Sequence, residues 1–378
     1  MSQQTARITR CPHLPGRAID VHAHLMVGAI RPQRKNRMKF NNRLVRAISI
    51  PAVVLGIGIA TVTSASAAMP NEESTLHPQM AGGQEILYRG GNEAYAEDGS
   101  NNHVMAWRGS DNNQVWVSFN NGNAFTITDT TGTQAPPEVA YIGNGAFGVF
   151  HTGAGGQIYW TRVYSNGSHD PGWTAIPNAV TPESFSPTAS YSMMGDGTTL
   201  MAWRGMSDNR VYEASWNGYS WSSPLAVPAG SSASGYITTN YAPALTFQPG
   251  TGHDVLAHTG TDGHVYTQIR YGTDVYTYPT THGGDAISSP AVAAMDNGHI
   301  ALAVTGTDQH VWNQESDSNG TSYSGLAWSQ ETSGNVTSTS YPPQMTRVRN
   351  LGSRIYLGQA QLIDHNRAAW VFKQDFVE

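Results

Sequence analysis

Five segments between Val104 and Trp312 repeat one pattern, in which an apolar strand closes on a glycine, a polar turn follows, and a second strand carries an aromatic residue. They are Val104-Met-Ala-Trp-Arg-Gly109 with Gln114-Val-Trp116, and Gly148-Val-Phe-His-Thr-Gly153 with Gln157-Ile-Tyr159. Leu200-Met-Ala-Trp-Arg-Gly205 with Arg210-Val-Tyr212 comes next, then Val255-Leu-Ala-His-Thr-Gly260 with His264-Val-Tyr266, and Ala301-Leu-Ala-Val-Thr-Gly306 with His310-Val-Trp312. The closing glycines are spaced by 44, 52, 55 and 46 residues, and a weaker sixth copy, Arg354-Ile-Tyr-Leu-Gly358 with Trp370 after it, falls at the next interval. Self-similarity at this period is the mark of stacked supersecondary units and limits the chain to a repeat architecture.

A proline-led strand precedes each copy after the first: Pro137-Glu-Val-Ala, Pro187-Thr-Ala, Pro243-Ala-Leu, Pro290-Ala-Val and Pro343-Gln-Met. Short stretches such as Tyr219-Ser-Trp221-Ser and Leu326-Ala-Trp328-Ser supply a further strand after the aromatic one. Three or four short strands per unit, joined by Gly, Asp and Asn turns, predict propeller blades. The turns Ser110 to Asn112, Ser207 to Asn209 and Thr261 to Gly263 suit hairpins that need positive φ. With 40 Gly, 17 Tyr, 10 Trp and only 13% charged residues, the composition is that of an all-β protein. The expected fold is a six-bladed β-propeller over residues 85–378, or seven-bladed if the front of the body holds a degenerate unit. Beyond Pro343 there is room for only three strands, so Glu85-Ile-Leu-Tyr-Arg89 is expected to complete the last blade and close the ring. A sandwich or an open solenoid fits the regular spacing less well.

The front of the chain reads as an address. From Met38 a basic start, an apolar run from Ala47 to Val62 and the small-residue end Ala65-Ser66-Ala67 predict a Sec signal peptide over residues 38–68, cleaved after Ala67 or Ala68. The run contains Pro51 and is shorter than the ~20 residues of a spanning helix, so no membrane association is expected after cleavage. Residues 1–37 read as an extension from a wrongly chosen start codon, and residues 69–84 as a loose tail. The extension carries Asp20-Val21-His22-Ala23-His24, which resembles the first-strand metal motif of amidohydrolases. Those enzymes need alternating strands and helices with further ligands downstream, and nothing later reads that way. The lone cysteine, Cys11, lies in the same segment, so the body has no thiol chemistry and no Cys-based zinc site.

Of 21 Lys and Arg, ten lie before Met69, against one of the 27 Asp and Glu, which leaves the remainder with a formal balance of −15. A body this acidic does not suit nucleic acid or an anionic membrane as partner.

The repeated Gly-Thr-Asp-Gly-His-Val-Tyr of Gly260 to Tyr266 and Gly-Thr-Asp-Gln-His-Val-Trp of Gly306 to Trp312 resemble the blade motif of PLL-type bacterial lectins. More loosely they resemble fungal fucose-binding propeller lectins, and Arg210 to Trp221 keeps the same cadence. The resemblance implies a lectin-like propeller with sugars held between adjacent blades, on an aromatic face beside an arginine and an acid. No blade here presents all of these at matching positions.

A pyranose offers an apolar C–H face to an aromatic ring and paired hydroxyls to a forked donor. On that chemistry the candidate carbohydrate-binding residues are Trp107, Arg108, Trp203, Arg204, His258 and Trp312. Strand alternation also allows the plainer reading in which each tryptophan packs between blades and each arginine holds a turn. Trp116, Tyr159, Tyr212, Tyr266 and Trp312 share one repeat position and read first as blade packing. Asp111, Asp208, Asp262 and Asp308 sit where Asx turns need them.

No catalytic residue, metal site or cofactor is expected. Ser316 to Tyr323 resembles the Asp-box turn of sialidases, yet no spacing among the ten body arginines singles out the clamp those enzymes use, and no Gly-x-Ser-x-Gly elbow is present. The expected function is that of a secreted, extracellular propeller binding cell-wall or environmental glycans. The alternatives are a propeller that binds other exported proteins and a sialidase-like glycoside hydrolase.

Overall fold

The computed structural model describes residues 94–376 apart from short segments, the longest being 192–197, 317–327 and 331–341. The expected leader and tail, the Glu85–Arg89 strand, Cys11, the His-x-His motif and Asp111 lie outside the described residues.

The described chain is all-β and propeller-like. Its first sheet pairs β1 (Ala94–Glu97), β2 (His103–Arg108), β3 (Val115–Phe119) and β4 (Phe125–Thr126) in chain order. The second pairs β5 (Glu138–Gly143), β6 (Ala146–Thr152), β7 (Gln157–Tyr164) and β8 (Thr174–Val180). The third holds β9 (Thr188–Tyr191), β10 (Thr199–Arg204), β11 (Val211–Trp216) and β12 (Leu225–Ala226). In the fourth, β13 (Ala244–Gln248) and β14 (His253–Thr259) lead to β15 (Val265–Tyr271), which pairs with both β16 (Val275–Tyr276) and β17 (Thr280–Thr281). The fifth contains β18 (Ala291–Ala294), β19 (Ile300–Thr305), β20 (Val311–Glu315) and β21 (Ser329–Gln330). These five full blades are followed by a three-stranded sheet of β22 (Gln344–Val348), β23 (Arg354–Asp364) and β24 (Arg367–Phe376).

The proline-led segments all become first strands, because a proline can begin a strand whose N–H side is free. First strands of successive sheets stand side by side from β1 through β5, β9, β13 and β18 to β22, and β22 also meets β1. Each blade is thus covered on both faces, which is why β6, β18 and β19 are buried along their whole length instead of alternating.

The core is a set of layers between blades. Phe147, Val149 and Val163 pack against Val104, Val115 and Val117, and Phe150 and Trp160 pack against Trp203 and Trp216. Leu200 and Val211 meet Leu256 and Tyr276 one junction further on. Each such side chain stabilises the fold by roughly 1.5–3 kcal/mol through burial.

One expectation is corrected here. The outer strand of the third blade is Leu225–Ala226; Trp221 instead makes a single bridge to Trp216 and plugs the junction with the second blade, 5.5 Å from Trp160. The first blade begins with Ala94–Glu97, a strand that no proline announces.

One inter-blade layer is charged. Arg270 on β15 lies 3.5 Å from Glu213 on β11 and 3.7 Å from Asp254 on β14, and the Tyr276 hydroxyl donates to Glu213. All four side chains are buried. A single guanidinium therefore holds two carboxylates across the third and fourth blades. Among the described residues no helix is long and apolar enough to cross a membrane.

Candidate functional site

The hairpin between the second and third strands of a blade is where the repeat motif concentrates its polar residues. At its bend the backbone takes positive φ at Asn113 (55°), Asn209 (56°), Gly263 (85°) and Gln309 (64°), as the polar composition anticipates. In the first blade that residue is Asn113, one beyond the Ser110 to Asn112 turn read from the sequence. Three of these bends are stitched to the linker entering the next blade, by Thr133 N–H to Asn113 O, Thr239 N–H to Asn209 O and Ala286 N–H to Gly263 O. The turns therefore face the gaps between blades.

Three successive blades build the same side-chain set on this turn. Asp208 accepts the Arg210 N–H at 3.2 Å and the Tyr212 hydroxyl at 2.8 Å. Asp262 accepts the His264 N–H at 3.1 Å and the Tyr266 hydroxyl at 2.7 Å. Asp308 accepts the His310 N–H at 3.0 Å and the Trp312 indole N–H at 3.1 Å. The third member of each set lies beside the carboxylate as well: Arg210 Nε at 3.5 Å, His264 Nδ1 at 3.2 Å and His310 Nδ1 at 3.5 Å. The expected Asx turns are present, and each carboxylate also anchors a ring.

The glycine that closes the preceding strand makes this possible. A Cβ on Gly260 would stand 2.5 Å from Asp262 Oδ1 and 2.8 Å from the Tyr266 ring, and one on Gly205 would meet Asp208 Oδ1 and the Tyr212 ring at 2.6 Å each. Gly306 is hemmed in the same way by Asp308 and Trp312. The repeat keeps glycine there because acid and ring close over its Cα.

Charge follows from these bonds. The Tyr266 hydroxyl, against a small burial effect, holds the Asp262 carboxyl below its ordinary range. At Asp308 burial pushes the pKa up, but the His310 N–H and Trp312 indole more than offset it, and it too lies low. In return, the bonds to Asp208 and Asp262 raise the Tyr212 and Tyr266 hydroxyls. At neutral pH the fourth-blade turn presents an ionised carboxylate beside a neutral phenol, and the fifth-blade turn an ionised carboxylate beside an indole.

Of the residues selected from sequence, Trp312 lies in this set. Trp107, Trp203 and His258 do not: they are 0%, 1% and 3% exposed and present no face to a ligand. Each is the cross-strand partner of the ring at the shared repeat position, Trp107 opposite Trp116, Trp203 opposite Tyr212, and His258 opposite Tyr266. Trp203 stacks on Tyr212 with centroids 6.1 Å apart, and His258 on Tyr266 at 5.3 Å. Burial drives the His258 pKa down to about 4, so it serves as a neutral platform.

Arg108 and Arg204 hold the ring together. Arg108 donates to Asn113 Oδ1 at 2.6 Å and to Gln134 O at 2.8 Å, and Arg204 donates to Thr239 O at 3.0 Å and to Asn209. Arg204 also lies 5.0 Å over Phe185. Both thereby tie a left-handed turn to the linker of the next blade, which is the plainer of the two roles open to them from sequence. Arg210, which the selection passed over, is partly exposed and lies 4.5 Å over the ring of Tyr236, itself 47% exposed. Among the described residues no three His, Cys, Asp or Glu converge as metal ligands.

No family model matches the sequence, and the search of curated proteins found no match. Solved structures do match. A lectin from Burkholderia pseudomallei superposes with a TM-score of 0.55 at 16% identity, over 73% of this chain and 80% of that one. A fucose-specific lectin from Aleuria aurantia gives 0.50 at 8% identity, over 76% and 96%, and AofleA from Arthrobotrys oligospora gives 0.50 at 12%, over 78% and 88%. At these identities the likeness is one of fold. The protein is an all-β propeller whose fold is similar to that of these lectins.

Proposed function

We propose that the protein is an exported, non-catalytic propeller that binds carbohydrate at the inter-blade turns of its third, fourth and fifth blades. The observation that carries this reading is the set of Asp carboxyl, aromatic ring and Arg or His donor on three successive blades. A sugar would lay its C–H face on Tyr212, Tyr266 or Trp312 and bridge acid and donor with neighbouring hydroxyls. The lectin folds to which the chain is similar support the reading, and fucosylated glycans are the first probes because one of those lectins is fucose-specific. Cell-wall and environmental glycans are the proposed targets. A glycan array probed with protein beginning near Ala68 tests this, and no sugar bound above background contradicts it.

Two further parts of the reading concern processing and closure. The exported chain begins at Ala68 or Met69, which N-terminal sequencing of secreted protein checks. The three-stranded sheet of β22 to β24 is a sixth blade, completed by Glu85 to Arg89; the contact of β22 with β1 supports a ring of that size. The exposed Tyr219 and Leu225, 92% and 55% accessible at the outer edge of the third blade, favour a second reading in which another exported protein docks there. A pull-down from culture supernatant with and without Tyr219→Ser separates the two.

A further inference from the structure

The first strands of the blades stand around an axial cavity of about 220 Å³. Tyr95, Tyr141 and Tyr191 line it together with Glu97 and Glu138, and Met345 lies on its wall; among the described residues no lysine or arginine lines it. The two glutamates come from different blades, on β1 and β5. Glu97 accepts the Tyr95 hydroxyl, while the Glu138 carboxyl meets the Ala189 N–H of the neighbouring blade. Tyr141 and Tyr191 pack edge to face at 5.1 Å and fix that side of the wall.

We propose that this axial cavity binds a small, weakly hydrated organic cation, a primary or quaternary ammonium, between the Glu138 carboxyl and the tyrosine side chains. Carboxylate and aromatic ring together are the chemistry that holds ammonium ions. A hard divalent ion asks for six or more oxygen ligands, and among the described residues no three His, Cys, Asp or Glu converge to supply them. Desolvation raises the Glu138 pKa to about 8, so near neutrality the carboxyl carries a proton that it gives up to solvent as the cation enters, and binding tightens as pH rises toward 8. The acidic excess of the body draws cations toward the ring. The cavity is too small for a disaccharide, so it is separate from the glycan-binding turns.

The test is an NMR titration of the full exported chain at a pH above 8, where Glu138 is ionised, with tetramethylammonium chloride against sodium chloride at equal ionic strength. One saturable site is expected, with cross-relaxation between the ligand methyls and the ring protons of Tyr95, Tyr141 or Tyr191. Glu138→Gln keeps shape and should fold as well as the wild type, with at least tenfold weaker binding; the cross-relaxation in the wild-type protein stands independently of that variant. Absence of saturation, saturation without tyrosine contacts, or equal binding by a folded Glu138→Gln overturns the proposal. Saturable calcium binding that displaces the ammonium overturns the assignment to organic cations.

Discussion

The Tyr266 hydroxyl donates to Asp262 Oδ2 at 2.7 Å, so the ring and the carboxylate of the fourth-blade turn are fixed to each other while both remain open to solvent. Tyr266→Phe removes that bond and keeps the ring. It should weaken sugar binding at this blade several-fold, because the carboxylate loses its orientation, yet lower stability by no more than about 1 kcal/mol at so exposed a site. Asp262→Ala should abolish binding at the blade. Gly260→Ala should do so without touching either partner, since its Cβ would stand 2.5 Å from Asp262 Oδ1. Calorimetric titration with a monovalent glycan, counting sites per chain, checks all three. Unchanged stoichiometry in Gly260→Ala counts against the site.

Arg270 lies 3.5 Å from Glu213 and 3.7 Å from Asp254, and all three are buried. Removing it takes a positive charge from beside two buried carboxylates, a change that costs on the order of 3–5 kcal/mol. Against a total of roughly 5–15 kcal/mol, Arg270→Ala should yield insoluble protein or a large fall in Tm. A triple change to Arg270→Leu, Glu213→Leu and Asp254→Leu should recover much of the loss. Denaturant unfolding of the set measures it, and a silent Arg270→Ala would show that the charges are not coupled across the blades.

Stability should fall as pH rises toward 8. Desolvation raises the folded-state pKa of Glu138 from 4.5 to about 8, so between those values the folded chain binds a proton that the unfolded chain has lost. The contribution is whole below pH 4.5, declines through the interval and is gone above about 8. On the acid side His258 and His282, whose pKa values burial lowers from 6.5 to about 4, act the other way and remove stability as pH falls from 6.5 toward 4. Tm measured from pH 4 to 9 should therefore peak in the mildly acidic range. In Glu138→Gln the alkaline decline should shrink, and an identical profile in that variant contradicts the assignment.

The repeat was legible because blade packing is written locally: proline at the start of first strands, unbroken apolar runs in β6 and β19, glycine and Asx residues at the bends. Ala94–Glu97 was not, since Ala-Tyr-Ala-Glu has neither a leading proline nor an apolar run, and its place is set by pairing with β2. The site was half legible. Trp203 and Tyr212 are both aromatic and stand opposite each other, and which one is buried depends on the neighbouring blade, not on either strand's alternation. The sequence pattern drew attention to Trp203 and His258, while the rings of the Asp-centred turns are their cross-strand partners Tyr212 and Tyr266. The signal that could have found them was present in the Asp four residues before Tyr212, Tyr266 and Trp312, read only as turn chemistry.

Ring closure can be tested by truncation. If Glu85 to Arg89 completes the sheet of β22 to β24, deleting those residues exposes the ladder edge of β24 and forfeits several hydrogen bonds and apolar contacts, each on the order of 1–3 kcal/mol. Aggregation or a sharply lower Tm is expected. Removing residues 69–84 alone should be nearly silent. Equal tolerance of both deletions contradicts a six-blade ring closed by its two ends.

The central claim, that the Asp-centred turns bind sugar, is tested most directly by counting sites. Calorimetry of protein beginning near Ala68, titrated with the best glycan from an array, should give up to three sites per chain. Asp208→Asn, Asp262→Asn and Asp308→Asn, introduced one at a time and then together, should remove them stepwise until the folded triple variant binds nothing. A triple variant that keeps wild-type affinity and stoichiometry would place the sugar elsewhere on the propeller and contradict the account.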